Sequence, residues 1–174
     1  MHFTSLFSLA LLATTSLASP LKRDVKPIVD SLSNISGAFV ALATKIEAFT
    51  GAEADGKAVI MQSHALVNFI QTAKTAIQPI AVLSPVETAG VAAPGNTLVT
   101  DINKVIDRLT GHKADFDKLG LSADVRSSIV HIKSEGEQLI KIISSKLPAS
   151  LAAAGEAVGK QINAALDKGL AVFK

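Results

Sequence analysis

Apolar side chains recur at intervals of three or four residues along nearly the whole chain, and this spacing constrains the fold more than any other feature. It places the apolar side chains on one face of an α-helix, whereas a half-buried strand needs strict alternation. Several such segments joined by short links predict an all-α fold, an antiparallel bundle of four to five long amphipathic helices. The predicted segments are about 26–49, 54–80, 84–119, 122–147 and 149–173.

Turn and cap signals separate these segments. Thr-Gly at 50–51 ends the first, and Pro79 marks the last turn of the second. Ser-Pro-Val-Glu at 84–87 predicts a capping box with proline at the first helical position. Pro-Gly-Asn at 94–96 predicts a break in the third segment, the alternative being a kink in one long helix. Gly-Leu-Ser at 120–122 predicts a helix stop followed by an N-cap serine.

The N-terminal residues have the pattern of a secretory leader sequence. Residues 3–18 are free of charge and largely apolar but too few to span a bilayer, and the small residues Ser16 and Ala18 occupy the −3 and −1 positions of a signal-peptidase cut. Residues 1–18 are therefore predicted to be a signal peptide. Lys22 and Arg23 then form a dibasic processing site that ends a short pro-segment, 19–23, and leaves a mature domain at 24–174; the alternative is that the pair is ordinary surface charge.

Composition narrows the class of partner. Loss of Lys22 and Arg23 would reduce 17 basic residues to 15, which equals the 15 acidic ones, so the basic balance of the full chain does not indicate a nucleic acid partner. Cys, Trp and Tyr are absent, so the fold depends on packing rather than disulfides, and aromatic sugar or nucleotide platforms are disfavoured. No segment after the leader has the length and apolarity of a transmembrane helix.

Catalytic and metal-binding motifs are absent from the sequence. It contains no Gly-x-Ser-x-Gly, His-Glu-x-x-His or phosphate-binding glycine loop. His64, His112 and His131 lack companions at the spacing of a convincing metal site. The sequence therefore predicts a protein without enzymatic activity, metal or cofactor.

The apolar helix faces are the candidate site. Ile, Leu, Val and Phe side chains enclosing a space between helices would accept an acyl chain, because each buried CH₂ contributes about 0.8 kcal/mol. Polar groups at Ser63, His64, Gln71 or His131 could receive a head group, although solvent-facing positions are the simpler interpretation. Asn34 lies in an Asn-x-Ser sequon and is a possible glycosylation site. The candidate lining residues are Leu32, Phe39, Leu66, Phe69, Ile70, Ile102, Ile106, Ile129, Ile132, Ile162 and Leu166.

The layout resembles the hydrophobic surface-binding protein A family of filamentous fungi, also known as cell wall galactomannoproteins. The resemblance covers about 24–173 and rests on the Lys-Arg end of the leader, the first helix from Ile-Val-Asp-Ser-Leu to Ile-Glu-Ala-Phe-Thr-Gly, the Leu-Ser-Pro-Val-Glu cap and the Lys-Leu-Pro-Ala stop before an Ala-rich helix. It implies a secreted or cell-wall domain that adsorbs to hydrophobic surfaces, with some members binding fatty acids between helices. It implies no catalytic residues.

Three functions follow as hypotheses. The first is a secreted or cell-wall protein, monomeric or homodimeric, that binds fatty acid or another lipid inside the bundle, or opens its helices onto a hydrophobic surface. The second is a structural cell-wall mannoprotein or surface antigen without a lipid ligand, which would have a fully packed interior. The third, the least favoured, is a hydrolase of apolar esters.

Overall fold

The structure is a computed structural model and describes residues 25–174. These residues form α-helices and one 3-10 turn with no strand among them, which confirms the predicted all-α bundle of long helices. The predicted signal peptide, with Ala18, and the processing pair Lys22 and Arg23 lie outside the described residues and stay predictions. The helices are α1 Lys26–Glu47, α2 Glu53–Ile77, α3 Pro85–Gly111, α4 Lys113–Lys118, α5 Ser122–Lys146 and α6 Ala152–Val172, with the 3-10 turn at Ala149–Leu151.

The five long helices form a closed ring. Going round it, α1 packs on α2, α2 on α5, α5 on α6, α6 on α3, and α3 on α1 again. Long helices that follow one another in sequence run in opposite directions along the bundle. Five rods in a ring leave a wider central space than four rods at the same helix separation, and side chains from all five must meet there to fill it.

Polar side chains link two of the neighbouring pairs. The hydroxyl of Ser36 in α1 donates to the buried carboxylate of Asp101 in α3. The hydroxyls of Ser63 in α2 and Ser128 in α5 lie 2.8 Å apart. These buried hydrogen bonds satisfy the polar groups and fix the register of the helices, because a shift along either axis would leave them unpaired.

The start of α3 has the predicted capping box. The Glu87 N–H donates to the Ser84 hydroxyl at 3.3 Å, and the Ser84 N–H donates to the Glu87 carboxylate at 2.7 Å. Pro85 occupies the first helical position, where no N–H is needed. The prediction from the Ser-Pro-Val-Glu sequence is confirmed.

The start of α5 differs from the prediction. Gly120, with φ +70°, ends α4 as predicted. Ser122, however, is the first residue of α5 rather than its N-cap, which is Leu121 and makes no side-chain cap bond. The Ser122 hydroxyl instead donates to the Asp117 carboxylate of α4. The cap prediction is wrong because the helix begins one residue earlier than expected, with the Val125 N–H donating to the Leu121 carbonyl at 3.0 Å.

Pro94 does not break α3. The helix is continuous from Pro85 to Gly111, so the predicted break at 94–96 is wrong, and the predicted segment 84–119 is instead divided at His112, between α3 and α4. Pro94 removes one N–H, whose helical acceptor is the carbonyl of Gly90, four residues earlier. Gly90 is exposed, so water can hydrogen-bond that carbonyl. Val91 and Leu98, on either side of the proline, are buried and keep both halves of the helix packed.

We expect Pro94→Ala to raise the free energy of unfolding by about 2 kcal/mol. Proline costs about 3 kcal/mol relative to alanine inside a helix, and its stiffening of the unfolded chain offsets up to about 1 kcal/mol of this. Urea unfolding followed by circular dichroism at 222 nm measures the change. A loss of stability would show instead that the proline ring makes packing contacts worth more than the missing hydrogen bond.

Candidate functional site

One end of the ring is filled by aromatic side chains, and we name it the aromatic end. Phe49 follows α1, Phe116 lies in α4 and Phe173 follows α6. The rings of Phe49 and Phe116 stack at a centroid distance of 4.8 Å, and Phe116 meets Phe173 edge to face at 6.1 Å. His112 packs edge-on against Phe49 at 5.4 Å. This cluster closes the bundle where α1, α3 and α6 end.

The other half of the ring encloses a cavity of about 620 Å³. All five long helices contribute residues to its wall, so the cavity forms only when the helices close into a ring. Its volume lies within the range of about 300–1,000 Å³ typical of small-molecule sites. The 27 lining residues are Leu32, Ile35, Phe39, Ile70, Pro85, Thr88, Ala89, Val91, Ala92, Gly95, Asn96, Leu98, Ile102, Ile132, Gly136, Leu139, Ile140, Ile143, Ser144, Leu147, Leu151, Ala154, Gly155, Val158, Gly159, Ile162 and Leu166.

The chemistry of the wall is almost wholly apolar. Thr88, Asn96 and Ser144 are its polar side chains, and none of the 27 residues is ionisable. Thr88 and Ser144 lie in the terminal turns of α3 and α5 at the end opposite the phenylalanines. The Thr88 hydroxyl donates to the Ser84 carbonyl at 2.9 Å and can still accept a hydrogen bond. A ligand inside would therefore be apolar along its length, with any polar group near these side chains.

Small residues bring α5 and α6 close together beside the cavity. A Cβ atom on Gly155 would lie 2.5 Å from Leu147 Cδ1, and one on Gly159 would lie 2.8 Å from Ile140 Cγ2. Both distances are too short, so these leucine and isoleucine side chains occupy the space that a larger residue would need. The glycines that weaken α6 as an isolated helix thus allow its close packing.

The cavity reaches the surface between the starts of α3 and α6. The lining residues Pro85, Ala89 and Ala92 of α3 and Ala154 of α6 are exposed as well as facing the cavity. Beside them, Val86 is 85% exposed. We name this opening, bounded by Pro85, Ala89, Ala92 and Ala154, the entrance.

Seven of the eleven predicted lining residues lie on the cavity wall, and their role in binding stays a prediction. The other four do not line it. Ile106 and Ile129 border a separate space of about 20 Å³, and Leu66 is fully buried in packed core. The seven on the wall are Leu32, Phe39, Ile70, Ile102, Ile132, Ile162 and Leu166.

Phe69 is a correction to the predicted core as well as to the predicted lining. Its side chain is 45% exposed on the outside of α2. Leu66 and Ile70 already form the inner face, and Phe69 is turned by about 100° from Ile70 around the helix axis. Of the positions considered for a head group, Ser63 is buried against Ser128, and His64, Gln71 and His131 are exposed and line neither space.

Sequence reasoning missed the first half of α3 as a cavity wall. Ala89, Ala92 and Gly95 follow one another at intervals of three, and Leu98 continues the row. The break predicted at 94–96 falls within this row of residues. The row of small residues at helical spacing is the signal that could have identified it, because small side chains on an inward face leave room rather than fill it.

Asn34 is exposed on the outer side of α1, and the next residue, Ile35, is buried. An oligosaccharide on Asn34 would project into solvent without disturbing the core. Glycosylation of this sequon stays a prediction. Elsewhere on the surface, Lys74 of α2 holds the pKa of Glu135 in α5 below its usual value, chiefly through a hydrogen bond.

Two further features bear on the class of protein. Among residues 25–174, no helix combines the length and apolarity needed to cross a bilayer. Over the same residues, no group of three or more His, Cys, Asp or Glu side chains is placed to hold a metal ion.

The fold and the cavity together define a class, an all-α protein whose helices surround an internal apolar cavity of ligand size. The chain belongs to the hydrophobic surface binding protein A family, whose family model matches residues 25–145. The resemblance found from sequence is thereby confirmed.

Named relatives of similar sequence are cell wall proteins. The chain is 30% identical over its whole length to cell wall mannoprotein 1 of Aspergillus flavus and 29% identical to that of Aspergillus fumigatus. It spans 63% and 61% of the length of these curated relatives, less than two thirds in each case.

Solved structures of similar fold contain bound fatty acids. Ligand binding domain 1 of the Penicillium marneffei MP1 protein, complexed with arachidonic acids, matches with a TM-score of 0.84 and 26% identity, over 87% of this chain and 99% of that domain. Afmp4p in complex with palmitic acid matches with a TM-score of 0.83 and 22% identity, over 87% of this chain and all of that one. The second likeness, at this identity, shows the fold alone.

Proposed function

We propose that this protein binds a long-chain fatty acid inside the cavity and holds it without chemical change, at the cell wall or outside the cell. The observation that carries the proposal is the cavity of about 620 Å³ whose wall has no ionisable group. The complex of MP1 domain 1 with arachidonic acids supports the choice of ligand, and the cell wall mannoproteins of Aspergillus support the location.

Burial of the acyl chain supplies the affinity. Each methylene moved from water into the cavity contributes about 0.8 kcal/mol. The carboxylate has no cationic partner on the wall, and an unpaired charge in an apolar space would be costly. We therefore place the carboxylate at the entrance, where water, Thr88 and Ser144 can solvate it, and the acyl chain inside.

Binding rather than catalysis suits the lining groups. Nucleophilic catalysis by a hydroxyl needs a base within hydrogen-bond reach, and neither Thr88 nor Ser144 has a histidine or carboxylate beside it on the wall. A structural mannoprotein without a ligand is disfavoured by the cavity itself, because a void of this size loses packing contacts unless a ligand occupies it.

A second candidate function is adsorption to a hydrophobic surface. The entrance is flanked by Val82 and Val86, which are exposed large apolar side chains, and by Pro85 and Ala89. Together they form an apolar rim that could touch an oil or lipid surface while a fatty acid passes into the cavity. Adsorption that is insensitive to salt and is weakened by Val86→Lys would support this role.

Filling the cavity tests the proposal. Gly95 of α3 is buried and lines the cavity, and the single atom within 4 Å of a Cβ placed there is Val158 Cγ1 at 3.9 Å, also on the wall. A Cβ at position 95 therefore makes only an ordinary van der Waals contact, and the adjoining cavity offers room for the rest of a leucine side chain. We expect Gly95→Leu to weaken binding of palmitate or arachidonate to delipidated protein by at least about tenfold, because it occupies space that the acyl chain needs.

Gly90→Leu is the matched control. Gly90 lies five residues earlier on the same helix, is exposed and lines no cavity, and a Cβ at this position would have no neighbouring atom within 4 Å. Both substitutions raise the intrinsic helix propensity of α3 by the same amount. Titration calorimetry should show wild-type affinity in Gly90→Leu. Absence of both heat and thermal shift in the wild-type protein would refute fatty acid binding.

A further inference from the structure

The small space of about 20 Å³ lies directly beyond the deep end of the main cavity, toward the aromatic end. We name it the annex. Three residues line both spaces, Phe39 of α1, Ile132 of α5 and Leu166 of α6. All three are buried. These three side chains, which we name the septum, separate the two spaces.

The annex can accept an apolar group. Its other lining residues are apolar except Ser63 and Ser128. The two hydroxyls bond to each other, and Ser63 also donates to the Ile60 carbonyl at 2.6 Å. Because these polar groups already have partners, the annex has no unpaired polar group to offer a carboxylate but can contact a methyl terminus.

The polarity of the main cavity sets the direction of the bound chain. Thr88 and Ser144 lie at the entrance end, whereas the deep wall formed by the septum and neighbours such as Ile102 is apolar. A fatty acid therefore places its carboxylate at the entrance and its terminal methyl against the septum. This step rests on the proposed function.

We infer that the septum sets the longest acyl chain that the protein binds well, with Phe39 as the main specificity-determining residue. Phe39 is the largest of the three side chains, and its removal would join the annex to the cavity. While the cavity has room, each added methylene should strengthen binding about fourfold. Once the terminal methyl reaches the septum, further methylenes stay at the entrance in water and the gain stops.

A series of saturated fatty acids, from octanoate through palmitate to tetracosanoate, tests this inference on the full chain. Displacement of a fluorescent fatty acid gives the affinity for each length, because the chain has no tryptophan of its own. For the wild type we expect affinity to rise with length and then level off. In Phe39→Ala the levelling-off should move to chains several methylenes longer, with affinity for the longest acids raised at least about tenfold.

Two further variants make the result decisive. Phe39→Leu keeps an apolar side chain, so it should fold even if the alanine variant does not, and should move the limit part of the way. Phe69→Ala is the control, because it is the same substitution at a half-exposed site that lines neither the main cavity nor the annex, and it should leave the limit unchanged. A limit that stays at the wild-type length in both Phe39 variants overturns the inference while leaving fatty acid binding intact. No binding by the wild type at any length overturns the proposed function itself.

Discussion

Phe116→Ala is expected to lower the free energy of unfolding by about 3–5 kcal/mol, the range for removal of a buried phenylalanine. Phe116 is fully buried and is the central ring of the aromatic end, with Phe49 and Phe173 on either side. It lies in α4, a helix of six residues that is too short to be stable without tertiary contacts. Loss of the ring therefore leaves a void and also releases α4 from the bundle.

Urea unfolding followed by circular dichroism is the measurement, since the chain has neither tryptophan nor tyrosine to report by fluorescence. Phe69→Ala is the matched control. It is the same substitution at a half-exposed site on α2, and we expect it to cost less than about 1 kcal/mol. Comparable losses of unfolding free energy in the two variants would show that the aromatic end contributes no more to stability than the half-exposed site on α2.

Fatty acid binding offers a second readout for the same variant. Phe116 lines neither the main cavity nor the annex. If the aromatic end only closes the bundle, Phe116→Ala measured under conditions where it is folded should bind palmitate with nearly wild-type affinity. A large loss of affinity would indicate that the aromatic end also holds the ring of helices at the right spacing.

Local signals in the sequence were sufficient to predict most of the helices. The spacing of three and four residues identified the buried face of α1, from Ile28 to Ile46. About one apolar residue per turn is enough to mark one side of a helix as the buried side. The capping box at 84–87 was equally local, since both of its partners lie within three residues. The prediction failed at Pro94 because the cost of a proline inside a helix can be judged from the local sequence. The tertiary packing of Val91 and Leu98, which outweighs that cost, cannot be judged from the local sequence.

The cavity could not be predicted from the spacing of apolar residues alone. Leu32 and Leu66 occupy equivalent positions in their helical patterns, yet Leu32 faces a void and Leu66 faces packed side chains. Which of these occurs depends on how five helices close into a ring and on the row of small residues in α3. A helical pattern identifies the inward face of each segment, but the distance across the ring is set by all five together.

That difference between packed and void-facing side chains leads to the second large effect. Leu66→Ala is expected to lower the free energy of unfolding by about 4–5 kcal/mol, near the upper end of the range for buried leucine, because Leu66 is fully buried and lines no cavity. Leu98→Ala should cost closer to about 2 kcal/mol in lipid-free protein. Leu98 already borders the cavity, so its truncation enlarges an existing void and removes fewer contacts.

Saturating palmitate should narrow the gap between the two leucine variants. In the loaded protein Leu98 contacts the acyl chain, so Leu98→Ala loses those contacts and its cost rises, while the cost of Leu66→Ala is unchanged. Urea unfolding of both variants with and without palmitate, corrected for the stabilisation that binding itself gives, measures this. Equal costs for the two leucines in lipid-free protein would mean that the cavity collapses when empty, and the helices would then have to separate before a fatty acid could enter.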